Sequence, residues 1–84
     1  MTYNVSQRVI KVIADVVQRK EGDIQLGASL KNDLNLDSLN QMTLFMLLED
    51  EFERTMTPDE VTGINTVKDI IGFIDRKMLE PVAA

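Results

Sequence analysis

Val5, Val9, Val12, Ile13 and Val16 fall three or four residues apart, with Arg8, Lys11, Asp15 and Arg19 filling the intervals. That spacing gives a helix one apolar face and predicts helix I over about residues 4–20. Its β-branched residues would also suit a strand, but the strict alternation a strand needs is absent. Lys20 and Gly22 supply a stop. Residues 22–36 then lose the helical period but keep Ile24, Leu26, Leu30, Leu34 and Leu36. A connection of that length in a small chain is usually functional or held down by its own side chains, and five apolar anchors predict the second.

The next periodic stretch, helix II from about Asp37 to Glu53, does not form a single stripe. At 100° per residue, Leu44, Phe45, Leu48 and Phe52 share one face, the expected core side. Leu39, Met42 and Met46 fall on the other face, together with Glu49, Asp50 and Glu53. Two readings follow. The second row either packs against the long connection or forms a surface for a partner, where methionine re-packs readily against different shapes.

Thr57-Pro58-Asp59-Glu60 is a helix start, with threonine as N-cap, proline at the first helical position and glutamate closing a capping box. It opens a short helix III, which Gly63 and Asn65 end within about two turns. Thr66 caps helix IV, whose Val67, Ile70, Ile71, Ile74 and Met78 form one stripe, with Arg76 and Lys77 near its end and Pro81 beyond. The tail, about residues 80–84, is expected to be short and flexible. The pattern as a whole is all-α, with no repeat or low-complexity tract.

Composition narrows the classes. The 84 residues are read as one domain, 1–84, burying roughly 60% of the unfolded chain's surface with no disulfide to assist. No stretch is apolar for long enough to span a bilayer, and the N-terminus lacks the layout of a signal peptide, so a cytoplasmic monomer without membrane insertion is expected. A net charge of −5 gives no footprint for nucleic acid. The charge is also uneven. Residues 37–60 hold seven acids against one base, Arg54, whereas residues 1–20 hold four bases against Asp15. A one-sided acidic field steers basic partners.

The candidate chemistry centres on Asp37-Ser38-Leu39. The chain has no histidine and no cysteine, so a serine nucleophile lacks its usual base and an acyl-transfer triad is excluded. Ser38 stands at the mouth of helix II, where unpaired N–H groups and the positive end of the helix dipole stabilise a phosphate ester. The plainer alternative makes Ser38 the N-cap of an S-x-x-Q box with Gln41, and Asp37 is a further candidate for the same cap. Asp33-x-Asn35-x-Asp37 opens like a calcium loop, but Ser38 stands where glycine is required and Leu44 where a bidentate glutamate is required.

Asp33-Leu34-Asn35-Leu36-Asp37-Ser38-Leu39, then Leu44-Phe45-Met46-Leu47-Leu48-Glu49-Asp50-Glu51-Phe52, then Thr57-Pro58-Asp59-Glu60 before Thr66-Val67 closely resemble the acyl carrier protein family over nearly the whole chain. The resemblance implies a four-helix bundle with a long first loop and a short third helix. It implies a 4′-phosphopantetheine arm on Ser38, flanked by Asp37 and Leu39, whose thiol holds acyl groups as thioesters for fatty acid or specialised lipid and polyketide synthesis. The chain would then be a non-catalytic carrier, and its partners a phosphopantetheinyl transferase and acyl-transferring or acyl-elongating enzymes.

Partner binding is expected at Leu39, Met42, Met46, Glu49, Asp50 and Glu53. Core-facing spacing together with the resemblance assigns Phe45, Leu48, Ile64, Ile70 and Phe73 to an acyl pocket. Asn40 and Thr43 stand where carriers of fatty acid synthesis often have acids, Asn35 where glycine is usual, and Phe45 where a smaller aliphatic residue is common. A carrier-like binding subunit, with Ser38 reduced to a helix cap, is the competing class.

Overall fold

A computed structural model of the chain describes residues 4–79. The described residues form α1 (Val5–Val17), α2 (Ser38–Phe52), the four-residue α3 (Pro58–Val61) and α4 (Val67–Leu79), with one 3₁₀ turn at Glu21–Asp23. This is the all-helical architecture the hydrophobic pattern predicts, and no strand occurs among the described residues. The tail expected to be flexible, about 80–84, lies outside them.

Asn4 caps α1, its side chain accepting from Ser6 N. The helix then stops three residues before the predicted end, at Val17 rather than Lys20. Gln18 turns left-handed (φ 58°) and its N–H closes on Ala14 O, which also accepts from Arg19 N at 3.0 Å. A last-turn carbonyl is thereby satisfied without glycine. The same device ends α2, where Glu53 (φ 53°) and Arg54 both donate to Glu49 O.

The long connection is packed down, but not by all five predicted anchors. Ile24, Leu30, Leu34 and Leu36 are buried, whereas the Leu26 side chain is 52% exposed. Leu26 anchors through its backbone instead, its carbonyl accepting from Lys68 N at 2.8 Å. An isolated antiparallel bridge joins Ser29 to Thr66, flanked by Leu30 N to Asn65 O (2.9 Å) and Val67 N to Ala28 O (3.1 Å). Asp33 folds the connection on itself, accepting from Ser29 N at 2.7 Å.

The core lies where α1 packs against α2 and α4. Val9, Ile13 and Ala14 meet Leu44, Leu48 and Phe52 there, together with the buried stripe of α4 and Met56. Arg8 fastens the end of α2 to α1. Its guanidinium pairs with Glu51 Oε2 at 2.8 Å, donates to Glu51 O and lies 4.4 Å from the centre of the Phe52 ring. The predicted capping box of α3 is formed in both directions, Glu60 N donating to Thr57 Oγ1 and Thr57 N to Glu60 Oε1.

Candidate functional site

Leu34 and Leu36 are buried on either side of Asn35, which is exposed and left-handed with φ 56°. Few residues other than glycine tolerate that conformation, and asparagine is one of them. The turn delivers Asp37 as the N-cap of α2, its Oδ1 accepting from Asn40 N at 2.8 Å. Of the two capping arrangements compatible with the sequence, the one at Asp37 forms. Gln41 does not complete a box with Ser38; its amide donates to Leu36 O at 2.9 Å and holds the incoming chain.

Ser38 is therefore the first residue of α2, exposed, with the capping task taken by its neighbour. The first turn of α2 holds no acid, and no residue from Ser38 to Leu48 is charged. A phosphate ester there would meet unpaired N–H groups and the positive helix end, with the Asp37 carboxylate already engaged by Asn40 N–H. These residues fit a phosphodiester-linked group.

Beyond the serine, Leu39, Met42 and Met46 are 70%, 63% and 65% exposed. The connection does not cover them, which removes the reading in which they pack against it. Leu47, 44% exposed, broadens the same surface. It was not among the expected residues, because on a helical wheel it falls on the flank between the two apolar rows. The three expected acids divide. Asp50 and Glu53 are exposed, but Glu49 is half-buried and its Oε2 accepts from Met56 N at 2.7 Å.

The residues expected around an acyl chain come together on the inner side. Leu48, Ile70 and Phe73 are buried in the core, and Phe45 and Ile64 are partly buried against it. Nearby, Lys77 pairs with Glu60 at 2.6 Å and stands 5.8 Å from the centre of the Phe73 ring, linking α4 to α3. The hydrogen bond from Lys77, then the one from Thr57 N, holds the Glu60 carboxyl below the ordinary carboxylate range.

A four-helix fold whose second helix begins with an exposed serine that does not cap it, and continues into an open apolar face, has the form of a carrier. The family described as "Phosphopantetheine attachment site" matches residues 7–74, a span that includes Ser38. The chain is 38% identical over 77 residues to an acyl carrier protein of Buchnera aphidicola subsp. Acyrthosiphon pisum, covering 92% of this chain and 96% of that one. It is 37% identical over 70 residues to an acyl carrier protein of Exiguobacterium sibiricum, covering 83% of this chain and 89% of that one. The chain belongs to the acyl carrier protein family, whose prosthetic group is 4′-phosphopantetheine.

Proposed function

We propose that Ser38 is the attachment point of the phosphopantetheine arm, and that the chain is a non-catalytic, cytoplasmic, monomeric carrier acted on by its partner enzymes. The observation that supports this most directly is the exposed Ser38 hydroxyl at the first position of α2, with Asp37 doing the capping. When bound, the arm supplies a terminal thiol that holds acyl groups as thioesters. The protein's own residues present the serine, fix the helix mouth and offer the docking face. The absence of any histidine or cysteine leaves acyl-transfer chemistry to the partners.

Incubation of the apo chain with coenzyme A and a phosphopantetheinyl transferase should add one arm, which peptide mapping places on Ser38. Ser38→Ala should remain unmodified while its stability changes by no more than about 0.5 kcal/mol, as for an exposed residue outside the cap. An arm on another residue, or none with several transferases, would overturn the assignment.

Docking belongs to the outer face of α2: Leu39, Met42 and Met46, broadened by Leu47, with Asp50, Glu53 and Glu49 toward its far end. The uncharged run after Ser38 favours a dedicated partner with an apolar socket over a uniformly basic groove, as a carrier of a specialised lipid or polyketide pathway would need. Phe45, Leu48, Ile64, Ile70 and Phe73 are the residues we assign to acyl shelter. Each buried CH₂ contributes roughly 0.8 kcal/mol, so even partial insertion protects a thioester. Phe45 narrows that space. Phe45→Val should therefore increase the melting-temperature gain produced by a long acyl chain, and equal gains in both proteins would exclude Phe45 from the pocket.

A further inference from the structure

Half of the open face of α2 is built from the apolar side chain that mild oxidants alter. Leu39 and Leu47 are hydrocarbon and inert, whereas Met42 and Met46 are thioethers. The chain has five methionines and no cysteine, so in the apo polypeptide no thiol competes for an oxidant. Met1 lies outside the described residues. Of the other four, Met56 is buried in the core, Met78 is half-buried against it, and Met42 and Met46 are open to water. A peroxide has to reach sulfur to react, so the accessible sulfurs of the described residues lie together on one face.

That face also follows the serine. A rise of about 1.5 Å per residue puts Met42 about 6 Å and Met46 about 12 Å along the helix from Ser38, and the i, i+4 spacing makes the two side chains neighbours. No residue from Ser38 to Leu48 is charged, so an enzyme reaching the serine meets a surface that offers it mainly apolar contact.

We propose that Met42 and Met46 form a redox-sensitive modification site. Hydrogen peroxide converts both to sulfoxides, which makes the face polar and keeps the carrier from its enzymes until sulfoxide reductases, with a dithiol as reductant, remove the oxygen as water. In the forward step a sulfur lone pair attacks one peroxide oxygen; the S–O bond forms as the O–O bond breaks. The second oxygen leaves as water with the proton of the transferred one, sulfur being oxidised by two electrons and the peroxide reduced by two. Oxidation turns a flexible apolar side chain into a polar one, and a sulfoxide oxygen pressed against an apolar socket loses its water without gaining a donor. The core is spared because the Met56 sulfur is enclosed. The proposal rests on the reading of this face as the docking surface.

The test treats the apo chain with hydrogen peroxide, removes the excess with catalase, and only then adds coenzyme A and an untreated phosphopantetheinyl transferase. Peptide mapping should find sulfoxide at Met42 and Met46 well before Met56 and Met78, with the urea midpoint unchanged. The kcat/KM for arm transfer should fall roughly tenfold, as for a polar group buried unpaired. The two methionine sulfoxide reductases, one per epimer, should restore it. The Met42→Leu/Met46→Leu variant, whatever its starting rate, should lose none of it to peroxide, whereas Met56→Leu/Met78→Leu should lose as large a fraction as wild type. Equal oxidation of Met56, a fallen urea midpoint, or a loss that the reductases leave in place would overturn the proposal. So would a full double sulfoxide that transfers at the untreated rate while Met46→Ala transfers slowly. If Met46→Ala also transfers at the wild-type rate, the docking face itself is misassigned and the proposal falls with it.

Discussion

α4 and α2 supply the same core and differ in what they do with the rest of their surface. α4 buries Val67, Ile70, Ile71, Phe73 and Ile74 and turns Lys68, Asp69, Asp75 and Arg76 outward, with Leu79 at its last position as its one large exposed apolar residue. α2 buries a thinner row, Leu44, Leu48 and Phe52, and leaves Leu39, Met42, Met46 and Leu47 open to water. Single exposed apolar residues are ordinary, but four on the outer side of one helix forgo burial that folding alone would favour. α4 keeps nearly all its apolar surface on the inner side. α2 is scaffold on one side and display on the other, and the displayed side begins at the serine.

Truncation on each side of α2 should separate these roles most sharply. Leu48→Ala removes a fully buried side chain and should cost about 2–5 kcal/mol in a urea titration. Met46→Ala should change stability by less than about 0.5 kcal/mol, yet lower kcat/KM for phosphopantetheinyl transfer by roughly tenfold, as for a residue near the centre of an interface. Similar losses of stability in the two variants would remove the distinction between the faces.

The helices were legible in the sequence because periodicity and capping are local. The stripes of α1 and α4 and the capping box at Thr57 are written within a few residues of one another, and each forms as read. What was not legible depends on contacts made across the fold. Asp37 and Ser38 are adjacent and equally competent as caps, and the choice between them follows from how buried Leu34 and Leu36 deliver the left-handed Asn35. Leu26 looks like a side-chain anchor but holds by its carbonyl, which only the position of Lys68 reveals. Glu49 reads as a surface acid until the turn after α2 brings Met56 N–H to it. Leu47 lies on the boundary between two faces, where the helical wheel does not decide.

The approaches to the two helices should differ less, but measurably. Asn35 is left-handed before α2, whereas no described residue with positive φ lies between α3 and α4. A β-branched residue is disfavoured in that conformation, so Asn35→Val should cost about 1–2 kcal/mol. Asn35→Gly should lie close to wild type. Asn65→Val, ahead of α4, should cost less than Asn35→Val. Equal costs at the two positions would mean that the left-handed turn contributes nothing particular to the way α2 is presented.

The smallest effect concerns pH, and it asks whether the start of α4 is fixed more by charge than by packing. Asp69 N donates to Thr66 Oγ1 at 3.1 Å, and the Asp69 carboxylate accepts from Asn65 N and Thr66 N at 3.1 and 3.2 Å. The backbone bond from Asn65, then the one from Thr66, holds the Asp69 carboxyl below the ordinary aspartate value of 3.8. A carboxyl depressed in the folded state contributes stability that is present above the unfolded value and lost as pH falls through the folded one. Asp69→Asn should therefore be less stable than wild type at neutral pH, and the gap should close as pH drops past the ordinary aspartate range. Glu60, depressed in the same sense, adds its own acid loss at α3 in both proteins and so cancels from the difference. Urea midpoints for the pair of proteins across that range measure the gap directly. A gap that stays constant at every pH would show that the bonds at Asp69 act without their charge, beside the packing of Val67 and Ile70 and the backbone bonds from Val67 N to Ala28 O and Lys68 N to Leu26 O.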